Sequence, residues 1–192
     1  MRAVTILAVC FLLAGCLPQS DEQLIRREFA VPARARMTAY SASPEQGGWF
    51  GREGLRIHME FQFTTSGFND YLAAARRQGG WRELPIPRRF LLHMGGIESA
   101  KQGILRSFAL QNKTYPEGSV YNPTQEQLYE QFVKRLDLQV RRGLFQCRTA
   151  GDNIMHAEKR TCQELRQDLN DYMLAVLDRD AKRLIIKVGT KY

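Results

Sequence analysis

Leu55, Ile57, Met59, Phe61 and Phe63 alternate with Arg56, His58, Glu60 and Gln62. This period of two predicts a strand over residues 54–63, with an apolar row on one face and a polar row on the other. A strand with one wetted face points to an antiparallel sheet, because parallel strands are usually buried on both sides. Downstream the period changes. Phe68, Tyr71, Leu72 and Ala75 keep helical spacing after Ser66, a cap residue, and Gly79-Gly80 closes the helix. Trp81 to Pro87 carries two prolines, each of which pushes its predecessor out of helical geometry, so this stretch is expected to be extended. The apolar run from Arg88 to Met94 reads as a further strand.

Ile97, Lys101, Ile104, Leu105 and Phe108 return to helical spacing, and Tyr115 to Tyr121 reads as a loop. Asn122-Pro123-Thr124 with Gln127 supplies the opening signals of another helix. Its stripe is Leu128, Phe132, Leu136 and Val140, and Gly143 stops it. Leu144 to Arg148 predicts a short strand, and Thr161 with Glu164 frames a capping box for a short helix through Leu169. Met173 to Leu177 and Leu184 to Val188 are two strands joined by a polar turn, a hairpin. The expected fold class is therefore α+β: an antiparallel sheet of about four or five strands, with three or four helices packed on one face.

The N-terminal segment has a different character. Arg2 precedes an apolar run from Ala3 to Leu13, broken only by Thr5, and Leu13-Ala14-Gly15-Cys16 ends it. Eleven residues are too few to cross a bilayer core, which needs about 20 in a helix, but they match the apolar region of an export signal. These residues resemble the bacterial lipoprotein signal, in which leucine and two small residues precede the cysteine. The resemblance implies cleavage before Cys16, diacylglycerol on its sulfur, and acylation of the new amino group. Leu17 after that cysteine resembles the class sorted to the outer membrane rather than retained at the inner one. The expected organisation is a signal peptide over residues 1–15, a lipidated N-terminus and tether over 16–51, and one globular domain over 52–192. Pro18, Pro32, Pro44 and Gly47-Gly48 mark the tether, whose roughly 35 residues could extend on the order of 100 Å. Ser20 to Ala30 could form a brief helix within it, with Ser20 as N-cap.

With Cys10 in the leader and Cys16 lipidated, Cys147 and Cys162 are left as an even pair in an exported domain, which reads as a structural disulfide. Zinc is disfavoured because no Cys-x-x-Cys is present and His156 alone cannot complete a tetrahedral set. The formal charge of +8 favours anionic envelope partners. Basic pairs such as Arg26-Arg27, Arg76-Arg77, Arg88-Arg89 and Arg141-Arg142 are dispersed among acids, as on a solvated basic surface. No nucleic-acid partner is expected.

Candidate chemistry is sparse. His58 sits on the polar row between Arg56 and Glu60 and is expected to be solvated; His93 lies in an apolar run and is expected to be partly buried; His156 falls between the two late cysteines. No nucleophile elbow, zinc-protease helix or phosphate-binding glycine loop is present. Ser66-Gly67 is accounted for by helix capping. Glu60 and Asp70 are candidate carboxylates for glycosidic chemistry. Asp168, Asp171, Asp178 and Asp180 lack the regular spacing of a calcium loop. Trp49, Phe50, Trp81 and Tyr115 could line a groove but more often pack onto the core. No catalytic residue, metal site or cofactor is assigned. The expected role is a non-catalytic accessory or binding module, held to the membrane by lipid and engaging another envelope protein or an anionic envelope polymer. A cell-wall or lipid hydrolase built around His58 or His93 with a carboxylate is the alternative, and an inhibitor or immunity lipoprotein is a further one.

Overall fold

The computed structural model describes residues 20–45, 54–151, 154–162 and 165–190. The residues expected to form a lipoprotein signal, and the stretch 46–53 with Trp49 and Phe50, lie outside them. The chain divides into two units, residues 1–33 and 34–192.

In the first unit, α1 (Asp21–Glu28) opens on a full capping box. Gln23 N donates to Ser20 Oγ at 3.2 Å, and Ser20 N donates to Gln23 Oε1 at 3.3 Å. Arg26 reaches back to Glu22 at 2.7 Å and forward to the Pro32 carbonyl at 2.8 Å, which ties the exit of the helix to its last turn. This part of the expected tether is an ordered helix.

The second unit is built on an antiparallel sheet of seven strands in the order β1-β2-β7-β6-β4-β3, with β5 also paired to β4. The strands are β1 (Arg36–Glu45), β2 (Gly54–Gln62), β3 (Arg82–Glu83), β4 (Gly143–Thr149), β5 (Arg160–Thr161), β6 (Asp171–Asp178) and β7 (Arg183–Thr190). The sheet therefore begins at Arg36, within the stretch that sequence patterning assigns to the tether. β1 is an edge strand paired only to β2, and Arg36-Met37-Thr38-Ala39-Tyr40-Ser41-Ala42-Ser43 has no apolar alternation to reveal it. Pro44 is tolerated there because an edge strand has one side without ladder bonds.

Four helices follow β2: α2 (Thr65–Gln78), α3 (Arg88–Gly95), α4 (Ile97–Gln111) and α5 (Gln125–Leu136). α2 is capped by Thr64, whose hydroxyl accepts from Gly67 N at 3.2 Å, so the cap falls two residues before the expected Ser66. α3 replaces the strand expected over Arg88 to Met94. Pro87 stands at its N-cap, and Phe90 and Met94, four residues apart, supply its buried face. α5 stops at Leu136, because Asp137 turns left-handed, and Val140 lies beyond it. The helix expected from Thr161 to Leu169 does not form: Arg160–Thr161 pairs with β4 and residues 165–169 are irregular.

Register assigns the faces. Phe145 and Cys147 of β4, Leu174 and Val176 of β6 and Ile185 of β7 share one core with Phe90, Met94, Ile97, Phe132 and Leu136 from α3, α4 and α5. Ile185 pairs with Glu60, and Lys187 with His58, so the polar row of β2 faces this same three-helix layer. The other row, Ile57, Met59 and Phe61, is buried on the opposite face. Phe63 continues it and stacks on Tyr71 of α2 at 5.1 Å. β6, between β4 and β7, is apolar on both faces, which explains its unbroken Met-Leu-Ala-Val-Leu run.

The disulfide expected between Cys147 and Cys162 is not present: both are buried free thiols. Cys162 N donates to the Cys147 carbonyl at 2.8 Å, so the pair is aligned by backbone pairing beside β5. Burial, with Cys162 alongside, pushes the Cys147 thiol well up and keeps it protonated.

Candidate functional site

The polar row of β2 is partly covered. His58 Nε2 lies 3.2 Å from Glu60, with side-chain exposures of 28% and 20%, so the solvated position expected for His58 is not what the fold provides. Glu60 also receives Arg183 at 2.9 Å, and Arg183 Nε meets Asp178 at 3.2 Å. Burial, and then the ammonium of Lys187 across the ladder, hold the His58 imidazole below its ordinary range, against the opposing pull of Glu60. Burial likewise lowers Lys187, against Asp137 and Glu60. The result is a polar seam on β2 and β7 in which Glu60 lies among Arg56, His58, Arg183 and Lys187.

At one end of this seam lies a cavity of about 70 Å³. Its wall is Arg56, Met94, Gly95, Phe132, Arg135, Leu169, Asn170, Tyr172, Gly189 and Thr190. Arg56, Gly189 and Tyr172 form one cross-strand row. Two close approaches shape the space. A Cβ on Gly189 would sit 2.6 Å from the Tyr172 ring, and one on Gly95 would sit 2.8 Å from the Phe132 ring. Both rings therefore lie against bare backbone, and they meet edge to face at 6.2 Å. Gly189 is the one signal the sequence offers: a glycine within a strand marks close approach of another group. Arg56 and Arg135 are far apart in the chain, and no spacing links them.

His93 sits beside the cavity without lining it. Its Nδ1 lies 3.1 Å from Asp168 Oδ1, Ser99 N donates to Asp168 Oδ2 at 2.6 Å, and Leu169 N donates to the His93 carbonyl at 2.9 Å. These bonds fasten the irregular 165–170 segment to the junction of α3 and α4, and so fix Leu169 and Asn170 in the cavity wall. His93 is partly buried, as expected.

The remaining candidates are accounted for by packing. Asp70 pairs with Arg34 at 2.8 Å in an exposed position, away from Glu60 as a catalytic partner. Asp171 Oδ1 accepts from Thr149 Oγ1 and from the amides of Ala150 and Gly151, closing the end of β4. Asp178 caps the β6–β7 turn through Asp180 N and Ala181 N. Trp81 packs edge-on against Tyr71, and Tyr115 lies between Phe108 and Tyr121. His156 is exposed. Lys101, read from sequence only as a helical position, is buried, with its ammonium held by Asn122 Oδ1, the Pro123 carbonyl and Glu117.

Among the described residues no group of three or more His, Cys, Asp or Glu side chains is placed to hold a metal ion, and no helix is long and apolar enough to cross a membrane. No family model, no curated protein and no solved structure matches the chain.

Proposed function

We propose that this protein is a lipid-anchored envelope component that works as a non-catalytic accessory or binding module in the periplasm. Cys16 is the anchor, the outer membrane its surface, and another envelope protein or an anionic envelope polymer its partner. The observation that carries this reading is the sequence Leu13-Ala14-Gly15-Cys16 at the end of an eleven-residue apolar run. A thiol at that place becomes a thioether, and two or three acyl chains give stable anchoring where one would not. The basic excess and the arginine-lined cavity fit an anionic partner. Metabolic labelling with palmitate tests the anchor. Label is expected on the wild type and absent from Cys16→Ala, and mass spectrometry is expected to find the mature N-terminus at Cys16. An unmodified sulfur with the N-terminus elsewhere would overturn the reading.

One observation favours the hydrolase alternative: each of His58 and His93 has a carboxylate within 3.2 Å. A histidine oriented by a carboxylate is half of a base-assisted nucleophile. Separate His58→Gln and His93→Gln chains that fold and still restore the phenotype of a deletion strain would remove that alternative.

A further inference from the structure

We propose that the cavity at the β2–β7 end of the seam is a carboxylate-binding site, taking an anion on a short apolar stem with Arg56 and Arg135 as its cationic partners. The inference stands on the cavity alone and does not depend on the lipid anchor. Three features carry it.

The first is charge. Among the described residues lining the cavity there are two arginines and no acid. One comes from β2 and the other from the last turn of α5, so they are brought together by the tertiary fold. Both arginines have other interactions, and a guanidinium, with five N–H donors in a planar fork, can be shared between those and a bound carboxylate.

The second is size. A cavity of about 70 Å³ open to water-sized groups compares with roughly 10–15 Å³ of such space per water, so it takes several waters or a carboxylate with a short stem.

The third is the mixed chemistry of the wall. Met94, Phe132 and Leu169 give the wall apolar side chains, and Asn170, Thr190 and the two arginines give it polar ones. A carboxylate can direct its two oxygens to the arginines and its stem to the apolar side chains. A phosphate has oxygens on every side and no carbon to set against the three apolar side chains, and placing its oxygens there without donors is costly. The two glycines complete the site by letting the Tyr172 and Phe132 rings stay flat against it.

Calorimetric titration of the full chain at low salt tests this, with sodium propionate, its neutral isostere propionamide, and sodium phosphate as the titrants. Propionate is expected to bind, propionamide not to, and phosphate to bind more weakly than propionate. Arg56→Gln and Arg135→Gln are each expected to weaken propionate by about tenfold or more, the range for hydrogen bonds to a charged group. Thermal unfolding of each variant verifies that it is folded, and Arg135→Lys gives an intermediate affinity by keeping the charge without the fork. Arg34→Gln, outside the cavity, is expected to leave binding unchanged. No heat with propionate, equal binding of propionamide, tighter binding of phosphate, or folded arginine variants that bind as the wild type does would each overturn the assignment.

Discussion

The three-helix face of the sheet has two halves of opposite character. Over β4 and β6 it is dry: Phe145, Cys147, Leu174 and Val176 interlock with Phe90, Met94, Phe132 and Leu136, and none of the eight exceeds 7% exposure. Over β2 and β7 the same face carries the half-buried Arg56, His58, Glu60, Arg183 and Lys187, and a cavity lies beside Arg56 where Met94 and Phe132 border it. Close-packed apolar side chains specify one arrangement, whereas charged side chains under a helix need partners supplied one by one. The dry half holds the fold, and the charged half is where a ligand can enter. A sheet face can thus be half core and half site without any change in the helices that cover it.

Substitutions can break this contrast at several levels. The largest loss is expected from Phe145→Ala in the dry half, about 3 to 5 kcal/mol for a large aromatic truncated in a packed core, read from the shift in the urea midpoint. Next is Asp168→Ala at the boundary between the halves. It leaves His93 Nδ1 and Ser99 N without their acceptor and should cost about 1 to 3 kcal/mol by the same measurement. In the charged half the expected effect is on pH dependence. The folded His58 imidazole titrates below 6.5, its ordinary value, so as pH falls below that value the unfolded chain takes up a proton that the folded one resists. Stability should drop on acidification through that window, and His58→Gln should remove this part of the slope in a pH series of unfolding curves. The smallest effect is expected from Asp70→Asn, which deletes an exposed pair with Arg34 and should stay within about 0.5 kcal/mol. A charged-half variant as costly as Phe145→Ala would erase the distinction.

The sequence discloses the two halves unequally. β2, α2, α5 and the β6–β7 hairpin are legible, because amphipathic period, capping residues and turn chemistry all act locally. The antiparallel sheet is also legible, although the polar row of β2 is half-buried rather than fully wetted, with Glu60 paired to Arg183 on the neighbouring strand. β1 is hidden because an edge strand of small and polar residues has no period to show. α3 is hidden because Phe90-Leu91-Leu92 is a continuous apolar run that masks the four-residue step from Phe90 to Met94. The short helix expected after Thr161 loses to pairing with β4, a long-range bond invisible to local propensity. The cavity is least legible, since register alone puts Gly189 between Arg56 and Tyr172.

The sheet order has a consequence for how the chain is made. Among the described strands β7 lies furthest along the chain, yet it is inserted between β2 and β6 and bridges the β1–β2 ribbon to the rest of the sheet. During synthesis both ribbons therefore wait for the final strand, and long-range pairing of this kind is slow. A chain stopped before β7 should hold the β1–β2 ribbon and the β4–β6 pair as separate pieces, unjoined into one sheet.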